Sequence, residues 1–458
     1  MKSTQNKYLI IGLMLFAMFF GASNLTYPAF LGIYSGSSLW LAVLGFCLSA
    51  VTLPLLAVIA ISYSGSDNAQ DMIEKRVSKG FAVVFMTVLN LAIGPLFSIS
   101  RTGAVSFSVG VAPFFGNDLI SKLIYGVIFF GLTYLIAVKP SKIADYIGKY
   151  LTPALLLVIL TLIIGSYISP AAAPASQSYN AASDLSNAFA DVPFIAGLLQ
   201  GYGTLDALAA FMFINVVINS AKQFGAKSKR DIATISLKAG LITTAFLAII
   251  YIFIARLGSV SQGLFDMQDG LFVLNGVGVD GGNVLSIAAR NYFGTFGQLT
   301  LSLAVFLACL STSSGLVVAS ADYFHTLLPK LSHARWSAIM TLIGTFLYFS
   351  GLNGIIKASL AMLFFLYPIA ISLIVLTLTG KWFKDKKIVY VSTLIWASVA
   401  ALYDSLSTLA GQLGIDFIPA GINHFFTQVV PLGQFQLGWT CFALIGFVLG
   451  LILDKIKS

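Results

Sequence analysis

The chain has 458 residues, 58% of them hydrophobic and only 9% charged, with a net charge of +9 and a mean hydropathy of +0.92. A soluble domain carries about 25% charged residues, so a soluble enzyme or binding module is excluded. The positive balance is no nucleic-acid signal either, because the basic residues sit in short stretches between apolar runs, where membrane topology accounts for them.

Apolar runs of about 20 residues recur along the whole length, each long enough to cross a hydrocarbon core of about 30 Å. The pattern predicts twelve spans, at 8–33, 38–63, 80–111, 119–138, 146–168, 190–219, 235–257, 292–321, 336–351, 355–379, 388–412 and 435–453. Lys2 and Lys7 followed by an apolar run superficially resemble a signal peptide. No small-residue cleavage site precedes the next span, so a retained first helix is expected.

That first span is interrupted by Gly21-Ala22-Ser23-Asn24, with Pro28 close behind. Backbone polar groups inside a bilayer must be paired, so an unwound stretch persists only where it lines a cavity or binds something. The third span carries Gly94-Pro95 and then Arg101. An ionisable residue this deep faces the bundle interior or water, or else snorkels to an interface. The acids Asp67, Asp71 and Glu74 read as a solvated loop face. Ser169–Asp191 is an uncharged-to-acidic stretch rich in Ala, Ser and Pro.

The sixth span is broken at Gln200-Gly201-Tyr202-Gly203-Thr204, just before Asp206 and roughly 180 residues after the first break. A matched pair of broken helices in two halves of a membrane protein is the best sequence pointer to a transporter substrate site. The segment Gly258–Asn291 has apolar stretches expected to form short helices over the outer mouth, as a lid or an inert loop. In the eighth span, Ser311-Thr312-Ser313-Ser314 cover most of the helix circumference. Such hydroxyls can bond back to the preceding turn or, with carbonyls of the first break, hold a cation of sodium size.

Breaks in the first and sixth spans give two halves of opposite topology. The expected fold is an all-α polytopic membrane protein with twelve transmembrane helices and a five-plus-five inverted repeat. It forms a single transporter domain over 1–458: repeat one about 8–168, repeat two about 190–379, and two additional helices at 388–453. All of the 26 basic residues except Arg101, Lys122, Arg256, Arg290 and Lys357 then fall on one side, which places both termini in the cytoplasm. Half-helix N-termini at the midplane offer N–H groups to a carboxylate, and C-terminal ends offer carbonyls to a cation. A zwitterion suits such a site. Cys47, Cys309 and Cys441 lie in separate apolar runs and read as packing residues. His325, His333 and His424 lie in loops or at helix ends and suggest no metal centre. No hydrolase elbow, zinc-protease helix or phosphate loop is present, so an ion gradient is the expected energy source and no enzyme activity or cofactor is expected.

Phe16-Ala-Met-Phe-Phe-Gly-Ala-Ser-Asn24 through Tyr27-Pro28 resembles the signature of bacterial branched-chain amino acid–cation symporters of the amino acid–polyamine–organocation superfamily. So do Gly94-Pro95-Leu96-Phe97 with Arg101-Thr102, Gly201-Tyr-Gly-Thr-Leu-Asp206 and Ala308-Cys-Leu-Ser-Thr312. The resemblance covers nearly the whole chain. It implies the sodium-symporter fold and import of leucine, isoleucine and valine with Na⁺ or, in some members, H⁺. It also implies a cation site from the carbonyls of Ala17 and Phe20 and the hydroxyls of Ser311 and Thr312, with Ala308 one turn earlier. The substrate carboxylate is expected on Gly21, Ala22 and Ser23, beside Asn24. The ammonium is expected near Gln200 and Gly201, and the side chain against Phe97 and Tyr202. Arg101 and Asp206 are further buried polar candidates, and pairing between them is one expectation. Ser23 stands where the family usually has glycine, and Ser100 where it has proline. Localisation in a bacterial cytoplasmic membrane, multi-pass, is implied, with the bilayer and a small-molecule substrate as partners; the oligomeric state stays open. Rival readings are another amino acid or small-solute substrate on the same fold, a channel, or a membrane sensor.

Overall fold

The computed structural model describes residues 6–138, 152–168, 177–181, 185–274, 276–415 and 417–457. The expected start of the fifth span, Lys139, Lys142, Lys149 and much of Ser169–Asp191 lie outside them. Among the described residues, nine helical stretches are long and apolar enough to cross a membrane, with two shorter apolar helices, Lys7–Phe19 and Leu156–Ile168.

The first span is two helices, α1 (Asn6–Phe19) and α2 (Ala22–Ser35), separated at the expected glycine. The second is α3 (Leu39–Cys47) and α4 (Leu53–Ser64), joined by a π-helical turn at Leu48–Thr52. A loop helix, α5 (Ala69–Arg76), precedes α6 (Lys79–Leu91). The third span then bends at Gly94, where φ −77° and ψ −114° leave the helical region, next to Pro95. It resumes as α7 (Ser98–Gly110), followed by the short α8 (Ala112–Phe115). Thus the third helix bends at Gly94-Pro95 without a proline at Ser100, whose hydroxyl bonds back to the Leu96 and Phe97 carbonyls.

Next come α9 (Leu119–Ala137) and α10 (Thr152–Ile168). Asp118 caps α9 by accepting from the Ile120 and Ser121 N–H groups; bonds from Ser121 hold its carboxyl below the usual range. The sixth span is again split, into α11 (Pro193–Tyr202) and α12 (Asp206–Gln223). The seventh is α13 (Lys229–Val260). The eighth, α14 (Gly281–Leu327), starts well before the expected 292 and kinks at Gly294, φ +62°. Four elements complete the described spans: α15 (His333–Tyr348), α16 (Gly351–Thr379), α17 (Lys387–Leu413) and, after the short α18 (Ala420–His424), α19 (Trp439–Lys457).

The segment before α14 forms strands rather than the expected short helices. β1 (Asp266–Gln268), β2 (Leu271–Leu274) and β3 (Val277–Gly278) make an antiparallel meander, with Asp266 opposite Val273 and Leu274 opposite Val277. Asp269 and Gly270 both take positive φ between β1 and β2, the backbone of a tight hairpin turn. Phe272 is buried and packs on Tyr34 and Tyr179, with ring centroids 5.1 and 5.6 Å away.

Packing between the split helices is reciprocal. Both α1 and α2 run along α13, whereas α11 runs along α3 and α12 along α4. The α2–α13 crossing is so close that a Cβ added to Gly32 falls 1.9 Å from the Ala255 carbonyl oxygen, and one added to Gly258 falls 2.2 Å from that of Ala29. Small residues let membrane helices approach in this way, since apolar burial gives no drive between helices in lipid. The third and eighth spans also meet, α7 along α14. Large apolar side chains such as Val127, Phe296 and Phe346 are exposed on the outer faces, as a lipid-facing surface requires.

Candidate functional site

At the first break, α1 stops after Phe19 because the next turn is not closed. The Phe20 N–H reaches the Phe16 carbonyl at 2.7 Å, but the Gly21 N–H turns to Asn24 Oδ1 at 2.9 Å. The Ala17 carbonyl therefore loses the donor that a continuous helix supplies, and the Phe20 carbonyl lies between the two helices, in the zone where end groups are unpaired. Gly21 is a fitted position. A Cβ there meets Thr312 Cγ2 at 3.0 Å and Oγ1 at 3.1 Å, so the break lies directly against α14.

The four consecutive hydroxyls of α14 divide into two pairs. Ser314 bonds back to the Leu310 carbonyl at 2.7 Å, and Ser313 meets the Thr133 hydroxyl of α9 at 3.4 Å. Thr312 Oγ1, by contrast, is buried and has no hydrogen-bond partner. Ser311 and Thr312 line a cavity of about 450 Å³ together with Ala17 and Met14 of α1. From there the cavity runs to Asn68 and Gln70 before and in α5 and to Asp322 and Thr326 near the end of α14. Ala308 sits one turn earlier on α14, buried. Ala17, Ser311 and Thr312 along this wall carry neutral oxygens of the hard donor type, whereas Phe20 is not part of the lining.

The second break is closed upon itself. The Gly203 N–H bonds the Gln200 carbonyl at 2.9 Å, the Thr204 N–H and hydroxyl both reach that of Gly201, and the Leu205 N–H reaches that of Tyr202. Leu205 pays for this turn with a left-handed φ of +68°. Gln200 Nε2 donates to the Ser186 carbonyl and to Asn187 Oδ1. Tyr202 stacks on Tyr367 of α16 at 4.1 Å. The carbonyls of Gln200 and Gly201, expected to face an ammonium, are thus engaged by their own turn. Of the expected site residues only Ala17, Ser311 and Thr312 line the cavity; Phe20, Gly21, Ala22, Ser23, Asn24 and Ala308, Phe97 at the bend of the third span, and Gln200, Gly201 and Tyr202 do not.

Arg101 and Asp206 both lie in the interior, and they do not form an ion pair. Arg101 is fully buried rather than snorkelling. Its Nη1 donates to Ser23 Oγ at 3.0 Å and to the Gly203 carbonyl at 2.5 Å, and its Nη2 donates to Ser359 Oγ of α16 at 3.1 Å. The guanidinium therefore ties the two breaks together, and Ser23 supplies the hydroxyl that a glycine there would lack. Asp206 instead accepts from Asn24 Nδ2 at 2.6 Å and from the Tyr251 hydroxyl at 3.0 Å. Tyr251 and Ser359 lie in apolar runs with no local signal, and only the packing of α13 and α16 reveals them.

The chain matches the model of the family described as "Branched-chain amino acid transport protein" over residues 4–457. The branched-chain amino acid permease BrnQ of Bacillus subtilis (strain 168) is 37% identical over 459 residues, covering 100% of this chain and 99% of the permease. Among solved structures, a manganese transporter of Eremococcus coleocola has a TM-score of 0.59 at 14% identity, over 98% of this chain and 97% of that one. A Na⁺-coupled sialic acid symporter has a TM-score of 0.58 at 15% identity, over 97% and 90%. The solved structures share the fold; the permease is similar in sequence from end to end and is a transport protein, not an enzyme. The chain belongs to the branched-chain amino acid transport protein family, as a multi-pass bacterial membrane transporter.

Proposed function

We propose that this protein imports leucine, isoleucine and valine together with Na⁺ by alternating access, from a site built on the first helix break. The observation that carries the cation reading is Thr312: a buried hydroxyl without a partner, set against Gly21 where α1 leaves its carbonyls unpaired. A buried polar atom normally has a partner, and a bound Na⁺ would supply one. Ser311 and Ala17 join Thr312 along the cavity wall. The substrate carboxylate would lie at the start of α2, on the N–H groups of Ala22 and Ser23, with the Gly21 N–H released from Asn24 as it arrives. The ammonium would approach the second break, and Phe97 and Tyr202 would border the aliphatic side chain.

A twelve-span, five-plus-five arrangement within one domain is supported by the reciprocal packing. If span one corresponds to span six, and two to seven, then contacts of one with seven must be mirrored by contacts of six with two, as they are here. The Lys and Arg bias favours cytoplasmic termini. On that orientation the cavity runs inward from Ala17 and Thr312, beside the break, to Asn68 and Asp322.

Counterflow of labelled leucine in proteoliposomes tests the substrate and the ion together. It should need Na⁺. Isoleucine and valine should compete within about two orders of magnitude of leucine, because one methylene is worth only about 1–3 kcal/mol in an apolar pocket. Lysine and glutamate should compete poorly, since their charge would be desolvated without a partner. Competition by lysine with none by isoleucine contradicts the substrate, and counterflow indifferent to Na⁺ contradicts the ion.

A further inference from the structure

Asp206 is a buried acid to which the transport cycle above gives no task. It opens α12 directly after the second break and is 3% exposed. Its Oδ2 accepts from Asn24 Nδ2 at 2.6 Å and from the Tyr251 hydroxyl at 3.0 Å, and Asn24 Nδ2 also contacts that hydroxyl. The cluster joins α2, α12 and α13. Among the described residues, no ion pair includes Asp206. Arg101 of α7 is turned to the Gly203 carbonyl, Ser23 and Ser359. The titratable groups that face the carboxylate are Tyr251 of α13 and Tyr367 of α16, with Cys47 of α3 beyond Tyr251 and Tyr202 and Tyr27 beyond Tyr367. Arg101 supplies positive charge beyond Tyr367, but its hydrogen bonds go to Ser23, Gly203 and Ser359 and it forms no ion pair with Asp206.

An unpaired carboxylate in a membrane interior is costly, and such residues mark ion and proton pathways. The surroundings decide which cation neutralises this one. Sodium needs converging oxygen lone pairs, as carbonyls and carboxylates offer. Here Asn24 and Tyr251 present N–H and O–H to the carboxylate, the Thr204 hydroxyl lies beside it and accepts the Asp206 N–H, and the single amide oxygen of Asn24 is taken by the Gly21 N–H. These donors favour the ionised carboxylate, whereas burial without a cation favours the protonated one, so the group is poised between the two forms and can take up or release a proton as its surroundings change.

We propose that Asp206 is a proton-binding site, linked through Asn24 to the first helix break, so that leucine and a proton bind together. Asn24 is the link because its amide holds the Gly21 N–H with one end and Asp206 with the other. With Asp206 ionised, the bond from Asn24 is charge-assisted and roughly twice as strong. The amide then keeps the Gly21 N–H occupied, and the negative charge repels an arriving carboxylate. When a proton adds to Asp206, an O–H bond forms, the charge disappears and the amide is freed to release Gly21. The proton leaves to water when the cavity side opens. Nothing else changes oxidation or bonding.

The inference rests on placing the substrate carboxylate at the first break, and the experiment separates the two. Labelled leucine is bound to the purified full-length protein in saturating Na⁺ between about pH 5.5 and 8.5, spanning the range where linkage to one proton can reach about tenfold per pH unit. In proteoliposomes with equal Na⁺ on both sides, a pH dye in the lumen follows a leucine gradient. Wild type should bind leucine more tightly as pH falls, and leucine entry should acidify the lumen. Asp206→Asn should bind leucine with one affinity across the range and carry no proton. Tyr251→Phe removes one donor without changing shape and should shift the pH midpoint. It also tests the site if Asp206→Asn fails to fold. Leucine binding that ignores pH, with entry that leaves the lumen unchanged, overturns the proton site while the substrate reading stands. Persistent pH dependence in Asp206→Asn, or an unmoved midpoint in Tyr251→Phe, overturns Asp206 as its seat. No leucine binding by wild type at any pH removes the substrate reading, and this inference with it.

Discussion

The two helix breaks are made from similar residues and end in opposite states. The first leaves groups open: Gly21 rests on a hydroxyl without a partner, and the Ala17 carbonyl has lost its helical donor. The second turns its backbone groups on itself and is held by Arg101 and the Tyr202–Tyr367 stack, with Gln200 Oε1 and the Tyr367 hydroxyl left without partners. In a membrane interior an unmet polar group is costly, so open groups persist only where something comes to occupy them. The difference assigns binding and switching to the first break and, in this state, anchoring to the second. Gly21 and Gly203 express it locally. A side chain at Gly21 intrudes on Thr312, whereas one at Gly203 strikes the Tyr27 ring at 2.2 Å.

The largest effect should come from filling the first break. Gly21→Leu places bulk against Thr312 and favours continuous helix by propensity. It should reach the membrane at near wild-type levels and neither bind nor transport leucine. Gly12→Leu, earlier in α1, should be milder, though its Cβ also meets Ile242 at 3.0 Å. Uptake by Gly21→Leu at the wild-type rate would return the first span to an ordinary role. A smaller loss is expected from untying the breaks. Arg101→Met leaves the Gly203 carbonyl and the Ser23 hydroxyl without their donor, at about 1–3 kcal/mol for each buried unmet group. A lower melting temperature in detergent and leucine affinity reduced by about tenfold should follow; unchanged melting and affinity would show that the tether is idle. The smallest effect belongs to the satisfied half of the hydroxyl run. Ser314→Ala removes a bond back to the preceding turn and should leave the Na⁺ requirement within about twofold, since such bonds add little to a helix. A large Na⁺ effect there would erase the distinction between the two hydroxyl pairs.

Much of this arrangement could be read from the chain because its causes are local. The glycines mark both breaks, but the non-helical stretches are only Phe20-Gly21 and Gly203-Thr204-Leu205, with Ala22, Ser23 and Asn24 forming the first turn of α2 and Gln200, Gly201 and Tyr202 the last of α11; Gly94-Pro95 bends the third span by removing a donor. What could not be read depends on residues far apart in sequence. Arg101 and Asp206 look like natural partners, yet each bonds elsewhere: Arg101 to a carbonyl, Ser23 and Ser359, and Asp206 to Asn24 and Tyr251. Likewise, the periodicity of Ser311 to Ser314 could not say which hydroxyls are bonded; only the positions of α1 and α9 divide them. Short helices are expected before α14, where the structure has strands, because Leu271–Leu274 is a short apolar run, ambiguous between the two by periodicity. The Asp269-Gly270 pair was the better signal, since it favours a two-residue hairpin turn.

The central claim is that the first break and the unpaired hydroxyls of α14 together hold the coupling cation. The direct measurement is a Na⁺ titration of leucine binding to the purified protein, wild type beside Ser311→Ala/Thr312→Ala. The double variant removes both side-chain oxygens and leaves the backbone carbonyls of α1 in place. Its half-saturating Na⁺ concentration should rise by about tenfold or more, the equivalent of about 1.4 kcal/mol lost, with leucine still bound at high Na⁺. Identical Na⁺ curves for the two proteins would contradict the account.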